Sequence, residues 1–474
     1  MSDLETIIFI IATIFMIGSL DDLFIDFVHF IFKLKPKQVL KEAWNSWEKL
    51  EEKPIAIMVP AWQEYDVLES MLKTNLGRIK YENYKWFIGV YPNDKKTTTI
   101  ALELQEKYPG QVIVVINDKE GPTTKAQMLN KMLRVISESE LIGGDDAWRP
   151  HYLAIHDAED VIHPNSLIAI NAQDSDYDFI QVPIFSLPVD TKSWVAGTYM
   201  DEFADLHLKE IPARQKLNMP IPSAGVGTFF SNKILKTLDR RFGYIFDEEN
   251  LTEDYEISMR IARIGGKQQF MLLKDDQGDF IATREYFPNA FRTSIRQKTR
   301  WTVGIGLQTI MKWGRFAPTS QLPTYKNIIG KYGVWRDQKA LWANPLAFVA
   351  WGLLFAFQLN HFWSFSSLDI DFSRIPYLQT ILIANLVFVS IRLIQRSRFT
   401  LWLYGWKHSL FSIPRLFVGT LINGSAAMRS VHVYKNKPTK KKIEWDKTQH
   451  YFPDAKTLQK FNKEPRANEA NTMH

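Results

Sequence analysis

Five short apolar runs constrain this chain more than any other feature. Pro54–Pro60, Trp86–Tyr91, Val112–Ile116, Tyr152–Ile155 and Phe179–Val182 are four to seven residues long and almost unbroken by polar side chains. Runs of that length and character read as strands buried on both faces of a sheet. Helix-forming stretches, Val67–Leu76 and Thr124–Ile136 among them, lie between several of these runs. Strands alternating with helices predict an α/β fold with a doubly wound, mostly parallel sheet. Such sheets bind ligands at the carboxyl ends of their strands. Glu64, Asp94 and Asp157 follow directly after strand-like runs, so they are expected at one sheet edge.

The bulk numbers narrow the chemistry. The chain has 474 residues, 46% of them apolar and 23% charged, a globular composition. A net charge of +6 is small for this length, and the basic residues cluster beside apolar segments, which argues against a nucleic-acid partner. There is no cysteine, so disulfides and thiolate metal sites are excluded and any metal must take oxygen or histidine ligands.

Apolar segments of membrane length flank the α/β stretch. Ile7–Phe32 reads as an anchor helix interrupted by Asp21, Asp22 and Asp26, carboxylates that must face protein or the interface; an amphipathic interfacial helix is the alternative. Leu341–Phe365 and Ile375–Ile394 are each long enough to span roughly 30 Å of hydrocarbon. The link Ser366–Arg374 is short and acidic. Lys33, Lys35, Lys37 and Lys41 follow the first segment, and Arg392, Arg396 and Arg398 follow the third. The positive-inside rule then predicts a cytoplasmic central domain. Leu401–Met428 is apolar but carries Lys407, Pro414 and Arg415, and a single crossing would put Lys435, Lys437 and Lys440–Lys442 outside. A re-entrant or surface-lying hairpin is therefore expected there. The predicted organisation is an anchor over 1–35, a catalytic domain over 50–290, an interfacial amphipathic helix over 290–316, spanning or re-entrant helices over 340–430 and a basic tail over 431–474.

Five clusters carry candidate chemistry. Asp157 and Glu159, with Asp160 adjacent, can aim two carboxylates at one hard cation such as Mg²⁺ or Mn²⁺; the alternative is a solvated acidic turn. Asp254, in Thr252-Glu253-Asp254, precedes a helical stretch. It is either part of a capped first turn or a general base for an acceptor hydroxyl. Gln297, Arg300 and Trp301 share one helical face of a basic, aromatic segment, Ala290–Trp313. That face suits either lipid contact or a sugar ring against Trp301 with a phosphate on Arg300. Ala224–Thr228 holds Gly225 and Gly227, which permit close backbone approach or simply a turn. Lys125 and Asn130 follow Gly121 on a helix, where Lys125 is a surface lysine or a donor contact.

Taken in order, Val59–Glu64, Asp94, Gly121–Asn130, Asp157–Glu159, Thr252–Asp254 and Gln297–Trp301 resemble the motifs of the membrane-bound family 2 glycosyltransferases, the cellulose and hyaluronan synthases. The wording of His156–Ile162, Pro222–Thr228, Arg284–Pro288 and Trp445–Thr448 looks like the bacterial phage-adsorption protein B branch. Relatives of that branch can carry a further C-terminal regulatory domain, for which the sequence after Pro453 is expected to be too short. The resemblance implies a GT-A type fold and an inverting transfer from a nucleotide-diphosphate sugar, UDP-linked, to a growing glycan or a lipid-linked acceptor. It implies donor contacts at Pro60, Ala61, Glu64, Asp94 and Lys125, a Mg²⁺ or Mn²⁺ ion on Asp157 and Glu159, and Asp254 as base. Acceptor contacts fall on Gly227, Glu253, Gln297, Arg300 and Trp301. The implied setting is the bacterial inner membrane, in contact with lipid and with an outer-envelope export partner. Glu159 departs from the family's second aspartate and leaves Glu159 or Asp160 as the second carboxylate. A catalytically idle nucleotide-binding scaffold is the competing reading.

Overall fold

A computed structural model describes residues 3–142, 148–173, 176–309, 312, 322–363, 377–436, 451–454 and 457–458. Seven strands form the central sheet: β1 (Ile55–Pro60), β2 (Tyr84–Val90), β3 (Val112–Ile116), β4 (Tyr152–Ile155), β5 (Phe179–Gln181), β6 (Thr228–Ser231) and β7 (Gln268–Phe270). Their order is β7-β5-β6-β4-β1-β2-β3. Every pairing is parallel except those of β6, which runs antiparallel to both β4 and β5.

All six residues of β1 are buried, which explains why its sequence is apolar without alternation. Ile55, Ile57 and Val59 pack into one core with Leu68, Met71 and Leu72 of the helix Leu68–Leu76. Ala56 and Met58 point the other way, into a second core with Met128, Leu129 and Met132 of the helix Lys125–Ile142. The sheet is thus covered on both faces, as the five apolar runs require. Strands β6 and β7 were not expected. Thr-Phe-Phe-Ser and Gln-Gln-Phe are too short and mixed to stand out, and they become strands by pairing, the first with β4 and β5 and the second with β5. A smaller sheet joins Val161–Ile162, Thr283–Glu285 and Ile184–Ser186 below the cleft.

Among the described residues, two helices are long and apolar enough to cross a membrane, Glu5–Ile31 and Leu378–Lys435. In the first, the expected partners of the acidic residues are present. Asp21 and Asp22 meet Arg336 and Lys339, and Asp26 meets Lys209 at 2.9 Å. The expected spans shift: one helix covers Ala340–Trp363, and the next starts at Leu378 and continues past Ile394. Gly405, at φ 80° and ψ 175°, breaks it. Ser409 donates to the Ser397 carbonyl at 2.8 Å across that break. Twelve residues of unbroken helix would hold those atoms roughly 18 Å apart, so the chain reverses at Gly405. The hairpin expected within Leu401–Met428 therefore turns near its start, and its second arm packs on the helices Trp194–Asp205 and Phe291–Trp301. The acidic link Ser366–Arg374, Trp313, Lys437, Lys440–Lys442 and Trp445–Thr448 lie outside the described residues.

Candidate active site

A cleft opens where β1 and β4 end. Pro60 and Glu64 enter it from the end of β1, and Asp157 and Glu159 from the loop after β4. That loop is held from behind. Asp160 Oδ2 hydrogen-bonds with His156 Nδ1 at 2.7 Å and accepts from the Asp157 backbone N–H at 3.1 Å. Asn75 donates to the Asp160 carbonyl at 2.8 Å and accepts from the Ile162 N–H at 2.9 Å. Burial pushes the Asp160 carboxyl well up and His156 down to about 3, so the imidazole is neutral. Asp160 braces the loop and does not line the cleft, whereas Glu159 does, which separates the two candidates for second carboxylate.

Lys125 lies across from the loop. Its ammonium is 2.5 Å from Asp157 Oδ1 and 3.3 Å from the Gly225 carbonyl. Asp157 with Glu253 and Asp254 raises the lysine pKa against the opposing effect of burial, so it stays charged. Asn130, on the same helix, is structural: it donates to the Phe246 carbonyl at 2.9 Å and accepts from its N–H at 3.0 Å.

Glu253 and Asp254 occupy the first turn of the helix Glu253–Arg263. Thr252 sits at the N-cap position, yet its side chain makes no cap bond, so capping does not account for this motif. The turn is held by its neighbours instead. Gln308 accepts from the Leu251 N–H at 2.8 Å, and a Cβ on Gly304 would lie 2.3 Å from the Thr252 hydroxyl. Burial, then the Asp254 charge, pushes Glu253 from 4.5 up to about 7. Burial also raises Asp254, opposed by Lys125 and Arg300. A carboxylate with raised proton affinity, facing a lysine and an arginine, suits proton removal near neutral pH.

Gln297, Arg300 and Trp301 complete the wall from the helix Phe291–Trp301. Tyr199 donates to Gln297 Oε1 at 2.9 Å and stacks on Phe287 with ring centroids 4.8 Å apart. Lys298, behind that face, binds Glu202 at 2.5 Å and Asn423 at 2.8 Å.

Three expected contacts fall outside the cleft walls. Ala61 is fully buried. Asp94 is spent on the loop after β1, accepting from Gln63 N–H at 2.5 Å, and it caps the helix Lys95–Lys107. Gly227 is the third: a Cβ there would strike Val182 and Thr283 behind the cleft. Gly225 takes its place. Its φ is +78°, and a Cβ there would sit 2.7 Å from Asp254 Oδ2. Phe203, Glu285 and Phe287 also line the cleft. Glu285 and Phe287 lie in the quoted stretch Arg284–Pro288, but nothing local marks Phe203, which arrives from the helix Trp194–Asp205.

The arrangement places a cation-lined acidic loop opposite a buried carboxylate pair, with an aromatic wall between them. Residues 53–304, just over half of the chain, match the family model described as "Glycosyltransferase like family 2". This chain belongs to that family. The bacteriophage adsorption protein B of Escherichia coli strain K12 is 35% identical over 481 aligned residues, covering 95% of this chain and 62% of the relative. The bacteriophage N4 adsorption protein B of Escherichia coli O157:H7 gives the same figures. The chain thus spans less than two thirds of the length of these relatives. A mannosyltransferase of Pyrobaculum calidifontis, solved with GDP-Man and Mn²⁺, shares the fold with a TM-score of 0.51 at 13% identity, covering 91% of this chain and all of the other. The family 2 glycosyltransferase fold, a GT-A type α/β sheet, is therefore the fold of this protein.

A divalent cation is compatible with the residues present. Mg²⁺ and Mn²⁺ take one or two protein carboxylates and complete their shell with phosphate oxygens and water. Asp157 and Glu159 supply two carboxylates, and the Lys125 ammonium on Asp157 already marks that oxygen as a cation position. Among the described residues no group of three or more acidic or histidine ligands occurs.

Proposed function

We propose that this glycosyltransferase moves a sugar, with inversion, from a nucleotide-diphosphate sugar to a hydroxyl of a growing glycan at a membrane surface. The observation that carries the reading is the convergence of Lys125, Asp157, Glu253, Asp254 and Arg300 on one cleft, although Asp157 and Asp254 are 97 positions apart in the chain.

The diphosphate lies along Lys125, with Pro60 and Glu64 beyond it at the end of β1. Asp157 and Glu159 would hold a Mg²⁺ or Mn²⁺ ion, which when bound offsets the charge that builds on the leaving diphosphate. Lys125 adds a fixed positive charge from the protein. Asp254 takes the proton of the acceptor hydroxyl as its oxygen attacks the anomeric carbon from the face opposite the diphosphate. Glu253, neutral below about pH 7, keeps a second negative charge away from the base. Trp301 and Phe287 present ring faces to the acceptor sugar, and Gln297 and Arg300 its polar contacts.

The catalytic unit spans about residues 50–290, with membrane-facing helices on both sides. Ile7, Ile10, Ile17, Phe24 and Phe27 of the first apolar helix are exposed, as are Ile383 and Leu386 of the later one, which supports burial in lipid. The relatives' naming for phage adsorption supports an envelope location.

The test is to incubate membranes holding the full chain with a panel of labelled UDP- and GDP-sugars, resolving products by length. Wild type incorporates label into long material. Asp254→Asn binds the same donor but transfers about 10²- to 10⁴-fold more slowly. Near-normal transfer by Asp254→Asn removes it as base.

A further inference from the structure

Tyr255 follows Asp254 directly, and its hydroxyl donates to Asp337 Oδ2 at 2.7 Å. Asp337 lies near the end of the helix Thr324–Gln338, 82 positions away. Arg214 clamps the Asp337 carboxylate with both terminal nitrogens and donates to Glu210 Oε1 at 2.8 Å. Arg336, next to Asp337, lies 3.7 Å from the same Glu210 oxygen and binds the carboxylate and the backbone carbonyl of Asp21 in the first apolar helix. Tyr332 and Lys339 fasten Asp21 further, at 2.6 and 2.9 Å. The side chains of Arg214 and Arg336 are each 3% exposed.

Of these residues Tyr255 belongs to the base turn itself. The first turn of the helix Glu253–Arg263 has no side-chain cap of its own. Its position must come from tertiary contacts, and Tyr255 is the buried polar anchor one residue from Asp254. A bidentate arginine–carboxylate pair held out of water is rigid, because moving either partner leaves a buried charge uncompensated.

We propose that Asp337 is a positioning residue for Asp254, acting through Tyr255. We further propose that the chain Asp21–Arg336–Glu210–Arg214 ties the base to the seating of the first apolar helix. The inference rests on the reading of Asp254 as base. It adds a coupling between the apolar helix and the proton-transfer step.

The experiment uses the full chain in membranes, with the nucleotide sugar that labels wild type in the panel as donor. Tyr255→Phe keeps the ring and deletes only the hydroxyl. It is expected to lower kcat about tenfold, the effect of a small misplacement of a base, while donor KM stays within about twofold. Asp337→Asn follows the same split, and Asp337→Glu recovers part of kcat. Asp21→Asn, at the far end, lowers kcat as well, and combined with Tyr255→Phe it costs no more than Tyr255→Phe alone. Wild-type kcat in Tyr255→Phe, or parallel changes in kcat and donor KM, overturns the positioning role even if Asp337→Asn fails to fold. Multiplicative losses in the double variant overturn the link to the first helix. Full transfer by Asp254→Asn in the same membranes sinks the base assignment instead, so the two failures are distinguishable.

Discussion

The two walls of the cleft are held in place by different physics. The donor wall, Pro60 to Glu159, hangs from the ends of β1 and β4, strands buried to within 1% of full enclosure by apolar side chains. Its loops are braced by the clamp of His156, Asp160 and Asn75 and by Asp94 behind Gln63. The acceptor wall, Tyr199 to Trp301, stands on helices that pack against one another and on the C-terminal hairpin, fastened by buried ion pairs. Asp201 meets Arg415 at 2.8 Å and Arg396 at 3.5 Å, and Glu202 meets Lys298. A sheet edge is precise because its ladder leaves the backbone no freedom. A helical wall held by charges is precise only while every pair is complete. The donor wall is thus expected to tolerate change in the helices, and the acceptor wall to depend on them.

Breaking the donor wall has the largest expected effect. Asp157→Ala is expected to remove Mn²⁺-dependent donor binding and to slow transfer on the order of 10³-fold, the several kcal/mol a bound cation supplies. Titration of donor affinity with and without Mn²⁺ checks it, and an affinity indifferent to the ion counts against this pair as its ligands. Acceptor aromatics play no part in that measurement.

Breaking the acceptor wall tests the other half of the contrast. Arg415→Met leaves Asp201 buried with Arg396 as its remaining cation, at an expected cost of about 3–5 kcal/mol. The melting midpoint of the detergent-solubilised chain should fall, and transfer should fail while donor binding at the sheet edge survives. Equal loss of donor binding and transfer would show that the two walls are not independent.

The smallest effect concerns Glu253. Its pKa in the folded chain, about 7, lies above its unfolded value near 4.5. Protonation therefore favours the folded state. That contribution is complete below the unfolded pKa and is lost as pH rises through about 7. Glu253→Gln, a permanent neutral mimic, should match wild type in melting midpoint near pH 4.5 and exceed it by a few degrees at pH 8. A pH-independent difference would mean that Glu253 is ionised in the folded protein throughout.

Much of the donor wall was legible in the chain itself. Continuous apolar runs can only be strands covered on both faces, and the carboxylates that follow them are then delivered to one edge. Glu64 and Asp157, which that logic places at the sheet edge, line the cleft. Ala61, Asp94 and Gly227, expected from the resemblance, do not line it, because a motif indicates a loop but not which of its side chains turns inward. Asp94 is taken up by Gln63 and the helix behind it, and Gly225, not Gly227, lies against Asp254.

The acceptor wall was legible only in part. Gln297, Arg300 and Trp301 share a face at helical spacing, so their direction followed from period alone. Phe203, the Tyr199–Gln297 bond and the Glu202–Lys298–Asn423 junction join segments up to about 220 residues apart and leave no local pattern.

By itself, then, the sequence determined the five apolar strands of the central sheet, that long apolar helices flank it, and that acidic residues follow its strands, because hydrophobic period and burial are local properties of consecutive residues. Only the tertiary structure decided that β6 runs against its neighbours, that the C-terminal helix reverses at Gly405, and that Asp21 and Tyr255 belong to one chain of buried charges. Such pairings are set by which surfaces meet, and a buried charge is neutralised by whichever opposite charge the packing brings beside it.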